Sequence, residues 1–386
     1  MASRRPPDRK ALIRSAASDL FLRHGYHNVS VAEVTAALDL TPAALYHHYR
    51  TKRDLLLHAV LDGFDTVDAA IREAGDLDTA LRSLAALVAG PKSLLSVWER
   101  ESRNLEGSQR LTVLERRTGI VTGFVPLLRA ERTELDAAGA ELVARAVLGA
   151  LGGQSRRSSV SRREDERLMV RLASAVARCP LPAAGPSPRP DRRPGDGAAS
   201  GVRRPRRDRL LTEAIRLFDE RGYQSVTVAD IGEAAGIVAS GVYRHFAGKT
   251  DMLVAAMNRG GEHLRTGADR ALAHARDPRE AVELLLGAHI DVTVKHRHLV
   301  GILIHESAQL PDRERVTLRR YQADYLDVWV QALGAARTDR DAVDLRTTVQ
   351  SAHSMIHFAV RSEPALPGPA LTERLAALGT ALLLGE

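Results

Sequence analysis

Apolar residues return at steps of three and four near the start of the chain. Leu12, Ile13, Ala16, Ala17, Leu20 and Phe21 fall on one helical face, and Gly25 behind them predicts a helix end. Ser30 followed by Glu33 is a capping box that opens a second helix, which runs through Val34 and Ala37 and ends near Asp39 and Leu40. Thr41 caps a third helix with Pro42 at its first position, where a missing amide hydrogen does no harm. That helix is short, ending around Tyr49, and Thr51 with Asp54 caps a fourth and longer one. Two short helices joined by a tight turn, the second starting in small residues, form a helix-turn-helix. Further along, 78–90, 139–153, 278–294 and 369–386 read as Ala- and Leu-rich amphipathic helices suited to a bundle. The last helices of each half are apolar on more than one face, which predicts burial against both their own core and a partner.

The pattern occurs twice. Residues 10–60 align with 207–257 without a gap, and 15 of the 51 pairs are identical. Phe21 matches Phe218, Gly25 Gly222, Tyr26 Tyr223, Tyr46 Tyr243, His48 His245, Lys52 Lys249 and Asp54 Asp251. A weaker match pairs 93–105 with 298–310, so the duplicated unit extends beyond the helix-turn-helix. Between the copies, 179–209 holds seven prolines and four glycines in 31 residues and cannot form a core. The expected organisation is a helix-turn-helix domain at 6–64, a helical bundle at 65–178 and a linker at 179–206. A second helix-turn-helix domain at 207–261 and a second bundle at 262–386 follow.

Composition narrows the function classes. The 386 residues are enough for two domain-sized cores. No run of 18 apolar residues predicts a membrane span, no secretory signal is read at the N-terminus, and a lone Cys179 fits a reducing compartment, so a cytoplasmic, nucleoid-associated protein is expected. The net charge of +7 points to a polyanionic partner. Residues 1–60 carry nine Lys or Arg against five Asp or Glu, and 180–209 eight against three, which puts the positive balance near the helix-turn-helix segments and the linker.

The stretches AEVTAALDLTPAALYHHYRTKRDLL and ADIGEAAGIVASGVYRHFAGKTDML resemble the signature of the tetracycline-repressor (TetR/AcrR) family over about 50 residues in each copy. The resemblance implies an all-α fold: three DNA-binding helices per unit, then a helical bundle that encloses a ligand and dimerises. Carried over by position, it implies that Thr41, Pro42, Ala43, Tyr46, His47 and Lys52 face DNA in the first copy. Val238, Ala239, Ser240, Tyr243, Arg244 and Lys249 do so in the second. The tyrosine hydroxyls and lysine ammoniums suit phosphate, and the small residues let the helix approach base edges. Leu45, Val242, His48, His245, Tyr49 and Phe246 are expected to pack helix three inward. Two departures stand out: Asp39 replaces the usual turn glycine, and Val238 replaces the usual hydroxyl cap, which predicts a weaker second reading helix.

The second copy is rich in histidine. His353 and His357, four apart, share a helix face, and metal ligation, lining of a ligand cavity and ordinary packing all stay open. Trp98 and Trp329 are expected to pack. No cofactor or metal is expected, and no enzyme motif is found: HFAGKT at 245–250 lacks the earlier glycine and the preceding strand of a phosphate loop. The expected function is a non-enzymatic, ligand-responsive regulator, most simply a repressor, binding double-stranded operator DNA and a small-molecule effector. It would pair its two copies within the chain or as a homodimer; the alternative is a scaffold or anti-repressor with one or both heads inactive.

Overall fold

The computed structural model describes residues 9–89, 105, 107–152, 161–183, 205–361, 366 and 368–385. All regular structure among them is helical, and the chain divides into two compact units, Met1–Ala177 and Arg178–Glu386. Residues 184–204 of the expected linker, and Trp98 with most of 93–105, lie outside the described residues.

The first unit contains α1 (Arg9–His24), α2 (Val31–Ala36), α3 (Pro42–His48), α4 (Lys52–Arg72), α5 (Leu77–Val88), α6 (Gly107–Glu131), α7 (Ala137–Gly152) and α8 (Arg162–Ala177). The second contains α9 (Arg206–Arg221), α10 (Val228–Ala234), α11 (Ala239–Val242), α12 (Lys249–His274), α13 (Pro278–Lys295), α14 (Arg297–His305), α15 (Asp312–Ala336), α16 (Ala342–Arg361) and α17 (Gly368–Leu384). In each unit the first three helices form a head, and the long fourth helix carries it into a bundle. In the first, α4 packs on α1, α5 and α6, and α7 on α6 and α8. In the second, α12 packs on α9, α13, α14 and α15, and α13 also meets α15, α16 and α17.

The helix ends follow from the residues expected to make them. Ser30 accepts from the Glu33 amide while Glu33 accepts from the Ser30 amide, a reciprocal cap that Thr227 and Asp230 repeat in the second unit. Gly25 and Gly222 stop α1 and α9 at φ 81° and 80°, a region that costs a side chain energy, and their amides close on Phe21 and Phe218 at 2.9 and 3.0 Å. In the second unit one apolar cluster joins Phe218, Val226, Ile231, Val242 and Phe246 of the head to Leu299, Ile302 and Leu303 of α14 and Leu318 of α15. The second head is therefore packed onto its bundle through a shared core.

Candidate nucleic-acid interface

The turn before each reading helix is built the same way from different residues. Leu40 donates its amide to the Thr35 carbonyl at 2.9 Å, and Ile237 donates to Gly232 at 2.8 Å. The hinge residue between them is left-handed in both copies: Asp39 at φ 53° and Gly236 at φ 64°. Asp39 thus adopts the conformation that glycine adopts in the second copy, at a steric cost glycine avoids.

The reading helices then diverge. Thr41 accepts from the Ala44 amide at 3.4 Å, and with Pro42 at the first position α3 runs for seven residues. Val238 makes no side-chain cap, and α11 runs for four before its chain turns at Tyr243. The missing cap and Gly241 inside the helix both remove helix stability, each by about 1 kcal/mol. One turn residue inward, Leu45 and Val242 are fully buried. Tyr49 and Phe246 are buried too, and Tyr49 donates its hydroxyl to the Lys10 carbonyl at 3.0 Å while Arg207 lies 4.4 Å from the Phe246 ring. His48 and His245 are half-buried. These contacts fix the inner face of the reading helix and leave its outer face to solvent.

The outer face holds most of the predicted contacts. Thr41, Pro42, Ala43, Tyr46 and His47 are exposed in the first head, as are Val238, Ser240, Tyr243 and Arg244 in the second, with Ala239 opening α11 between them. Tyr46 and Tyr243 stand 51% and 59% exposed, high values for an aromatic ring in a folded domain. The lysines are placed differently. Lys52 donates to the Tyr26 carbonyl and lies 4.2 Å from the Tyr26 ring centre. Lys249 donates to the carbonyls of Tyr223, Gln224 and Val226 at 3.0, 3.4 and 3.2 Å and lies 4.4 Å from the Tyr223 ring. Burial pushes the Lys249 ammonium below its ordinary pKa. Each lysine therefore pins the loop after the first helix, a role the sequence spacing did not disclose. Asp54 and Asp251 do similar work two residues on, accepting from the amides of Arg50 and Ala247 at 3.0 and 3.1 Å.

A further group was missed by sequence reasoning. Asp219 on α9 is buried between two helices of its own bundle, 2.7 Å from Arg361 on α16 and 3.0 Å from His298 on α14. Burial alone would raise its carboxyl, but the bonds from His298 and Arg361 outweigh that and hold it below the usual carboxylate range. Gly301 leaves the room for this pair: a Cβ there would overlap both the carboxylate and the guanidinium. The equivalent of Asp219 in the first copy is Leu22, so the sequence repeat conceals the link.

Among the described residues no helix is long and apolar enough to cross a membrane, and no group of three or more His, Cys, Asp or Glu could hold a metal ion.

Comparison with known proteins matches residues 13–59 and 210–256, the two heads, to the family of bacterial regulatory proteins of the tetR type. The chain is 31% identical over 150 residues to the HTH-type transcriptional repressor KstR2 of Mycolicibacterium smegmatis, covering 36% of this chain and 71% of that protein. It is 29% identical over 160 residues to KstR2 of Rhodococcus jostii, covering 40% and 78%. The HTH-type transcriptional activator FasR of M. smegmatis is 31% identical over 106 residues, covering 27% and 48%. Among solved structures, the ketosteroid transcriptional regulator KstR2 of Mycobacterium tuberculosis aligns at 24% identity and a TM-score of 0.42, covering 47% of this chain and 95% of that one.

Proposed function

The chain belongs to the TetR family of bacterial regulatory proteins, and from that premise we propose that it is a ligand-responsive repressor whose two heads read the two halves of one asymmetric operator. The observation that carries this reading is the pair of exposed reading faces, each held by a buried aromatic, a capped second helix and a lysine-pinned loop, yet different in outward residues. Position by position the first head offers Thr41, Ala43 and His47 where the second offers Val238, Ser240 and Arg244. Heads that differ at base-facing positions favour different half-sites. Tyr46 and Tyr243, common to both, are the phosphate contacts in this reading.

A chain that carries two heads can supply both halves of the dimeric arrangement used by helix-turn-helix proteins, whose half-sites lie about 34–36 Å apart. The linker of 179–206 is long enough not to restrict that spacing. An effector in a bundle that prefers a head position unsuited to the operator would release DNA; a 100-fold release needs about 2.7 kcal/mol of differential binding.

The test is binding of the full chain to the DNA upstream of its own gene and to scrambled DNA at about 150 mM salt. A preference for the upstream DNA with a footprint of two unlike halves supports the reading. Equal binding to both sinks it in favour of the scaffold alternative. Sedimentation of the protein without DNA decides the pairing: a compact 42.0 kDa species fits an intrachain pair, and a stable species of twice that mass rejects it.

A further inference from the structure

The two bundles can be put in register by their helix caps. Asp76 and Asp277 cap α5 and α13 by accepting the amides of Thr79 and Glu280. Arg132 and Arg337 close α6 and α15 on the carbonyls of Leu128 and Leu333, each at 2.8 Å. Asp136 and Asp341 accept the amides of Gly139 and Asp344 at the start of α7 and α16. In this register Val88, Ile120, Phe124, Leu148 and Gly152 of the first unit, all buried, correspond to His289, Tyr325, Trp329, His353 and His357 of the second. One place in a duplicated fold is wholly apolar in one copy and built of imidazole, phenol and indole in the other.

The polar set forms one cluster. The His289 and His357 Nε2 atoms lie 3.1 Å apart, and His289 Nδ1 lies 3.0 Å from the Tyr325 hydroxyl. The His353 ring stacks on His289 at 4.2 Å and 14°, and Trp329 meets His353 edge-on at 4.8 Å. Trp329 is fully buried, and its Nε1 lies near the Tyr325 hydroxyl without a hydrogen bond of ordinary geometry. His353 Nε2 is also buried without a partner. His353, His357 and Tyr325 keep partial exposure, so the cluster reaches a surface of its unit.

The cluster carries no fixed charge. Burial holds His289 down to about 4 and holds His353 and His357 well below their ordinary value, while it raises Tyr325. The charged group that faces it is Arg361, one turn beyond His357 on α16, and this guanidinium is committed to Asp219. The apolar counterpart shows that packing alone does not require these residues, and each buried polar atom without a partner lowers stability. A bound polar group would return that loss.

Resting on the reading of the chain as a ligand-responsive regulator, we propose that this cluster of the second unit, and not its apolar counterpart in the first, seats the effector. The effector is an uncharged small molecule with a flat face that stacks on the imidazoles and an oxygen acceptor for Trp329 Nε1. His357 and Arg361 stand one turn apart on α16, so an occupant that moves α16 alters the grip of Arg361 and His298 on Asp219 and thereby the second head.

The experiment uses the full chain with Trp98→Phe, which leaves Trp329 as its one tryptophan, excited selectively over the tyrosines. Benzamide, neutral with a carbonyl acceptor, is titrated beside benzoate, the same ring as an anion. Saturable quenching by benzamide, at least ten-fold weaker with benzoate and lost in His353→Leu, is the expected result. No saturation with benzamide, equal response to benzoate, or quenching that survives His353→Leu overturns the proposal. If His353→Leu fails to fold by circular dichroism, Trp329→Phe, which takes the first unit's residue, replaces it with calorimetric detection; benzamide heat retained there overturns the proposal equally. Because no DNA is present, the two readings fail separately. A chain that binds benzamide and ignores its upstream DNA keeps the seat and loses the repressor, and the reverse result does the opposite.

Discussion

Tyr46 and Tyr243 are the side chains on which the phosphate assignment turns. Both rings are exposed although both sit beside fully buried neighbours, Leu45 and Val242. Removing only the hydroxyl leaves packing intact, so Tyr46→Phe is expected to weaken operator binding by roughly five-fold, the worth of a hydrogen bond of about 1 kcal/mol. Tyr243→Phe does the same if the second head reads, and a mobility-shift titration that moves for neither variant rejects the assignment. The hinge residues make a second contrast. Gly236→Ala forces a methyl group into the left-handed region and is expected to destabilise the second unit by about 1 kcal/mol, whereas Asp39→Gly leaves the first unit as stable or more so in urea melts. At this scale the sequence was legible wherever a residue acts on its own backbone: the caps of Ser30, Thr41 and Thr51, the stops at Gly25 and Gly222, and the strain at Asp39. It was silent where a side chain reaches across. Lys52 and Lys249 were placed by spacing at the edge of the DNA face, but which carbonyls an ammonium finds depends on a loop 23 to 26 residues away.

Among the elements, α11 is the one its sequence weakens most. Val238→Thr restores a hydroxyl cap and is expected to stabilise the second unit by about 1 kcal/mol and lengthen the reading helix, seen as a shift of the denaturant midpoint at unchanged slope. The helices α13, α15 and α16 pose the opposite case. Their amphipathic pattern disclosed each helix, but nothing in one helix states that His289, Trp329 and His353 meet, because the meeting depends on how three helices turn toward each other. The cluster also predicts a pH dependence. A histidine held neutral in the fold protonates first in the unfolded chain, so its contribution is complete above about pH 6.5 and falls as the pH drops toward the folded value. With His289 held to about 4, roughly 2 kcal/mol of stability is lost from this group by pH 5. The variant His289→Val, taking the residue of the first unit, is expected to flatten the loss between pH 7 and pH 5; an unchanged slope removes His289 from the account.

For the molecule as a whole, duplication supplied the strongest signal in the sequence and also hid the largest difference. Fifteen identities in 51 positions identified two heads, and the apolar periodicity that follows each of them gave two helical bundles. What the repeat could not show is that the units are unequal in chemistry. One has an apolar bundle centre and Leu22 where the other has buried histidines and the carboxylate of Asp219. Division of labour follows from these substitutions: both heads keep their outward faces, and among the described residues it is the second unit that carries polar groups both at the bundle centre and between bundle and head.

The glycine at 301 has a consequence for modularity. It exists as a gap for one salt bridge, and that bridge needs an acid from the head and a base from the bundle. Exchanging residues 10–60 for 207–257 should therefore be tolerated unequally, although the segments align without a gap. The first head on the second bundle brings Leu22 opposite Arg361 and leaves a cation and an empty recess. The second head, moved to the first unit, carries Asp219 away from both His298 and Arg361. Thermal melts of the two chimaeras, each compared with its parent, would read this directly. Copies that began interchangeable have become a lock and its key, and recombination between them would no longer be silent.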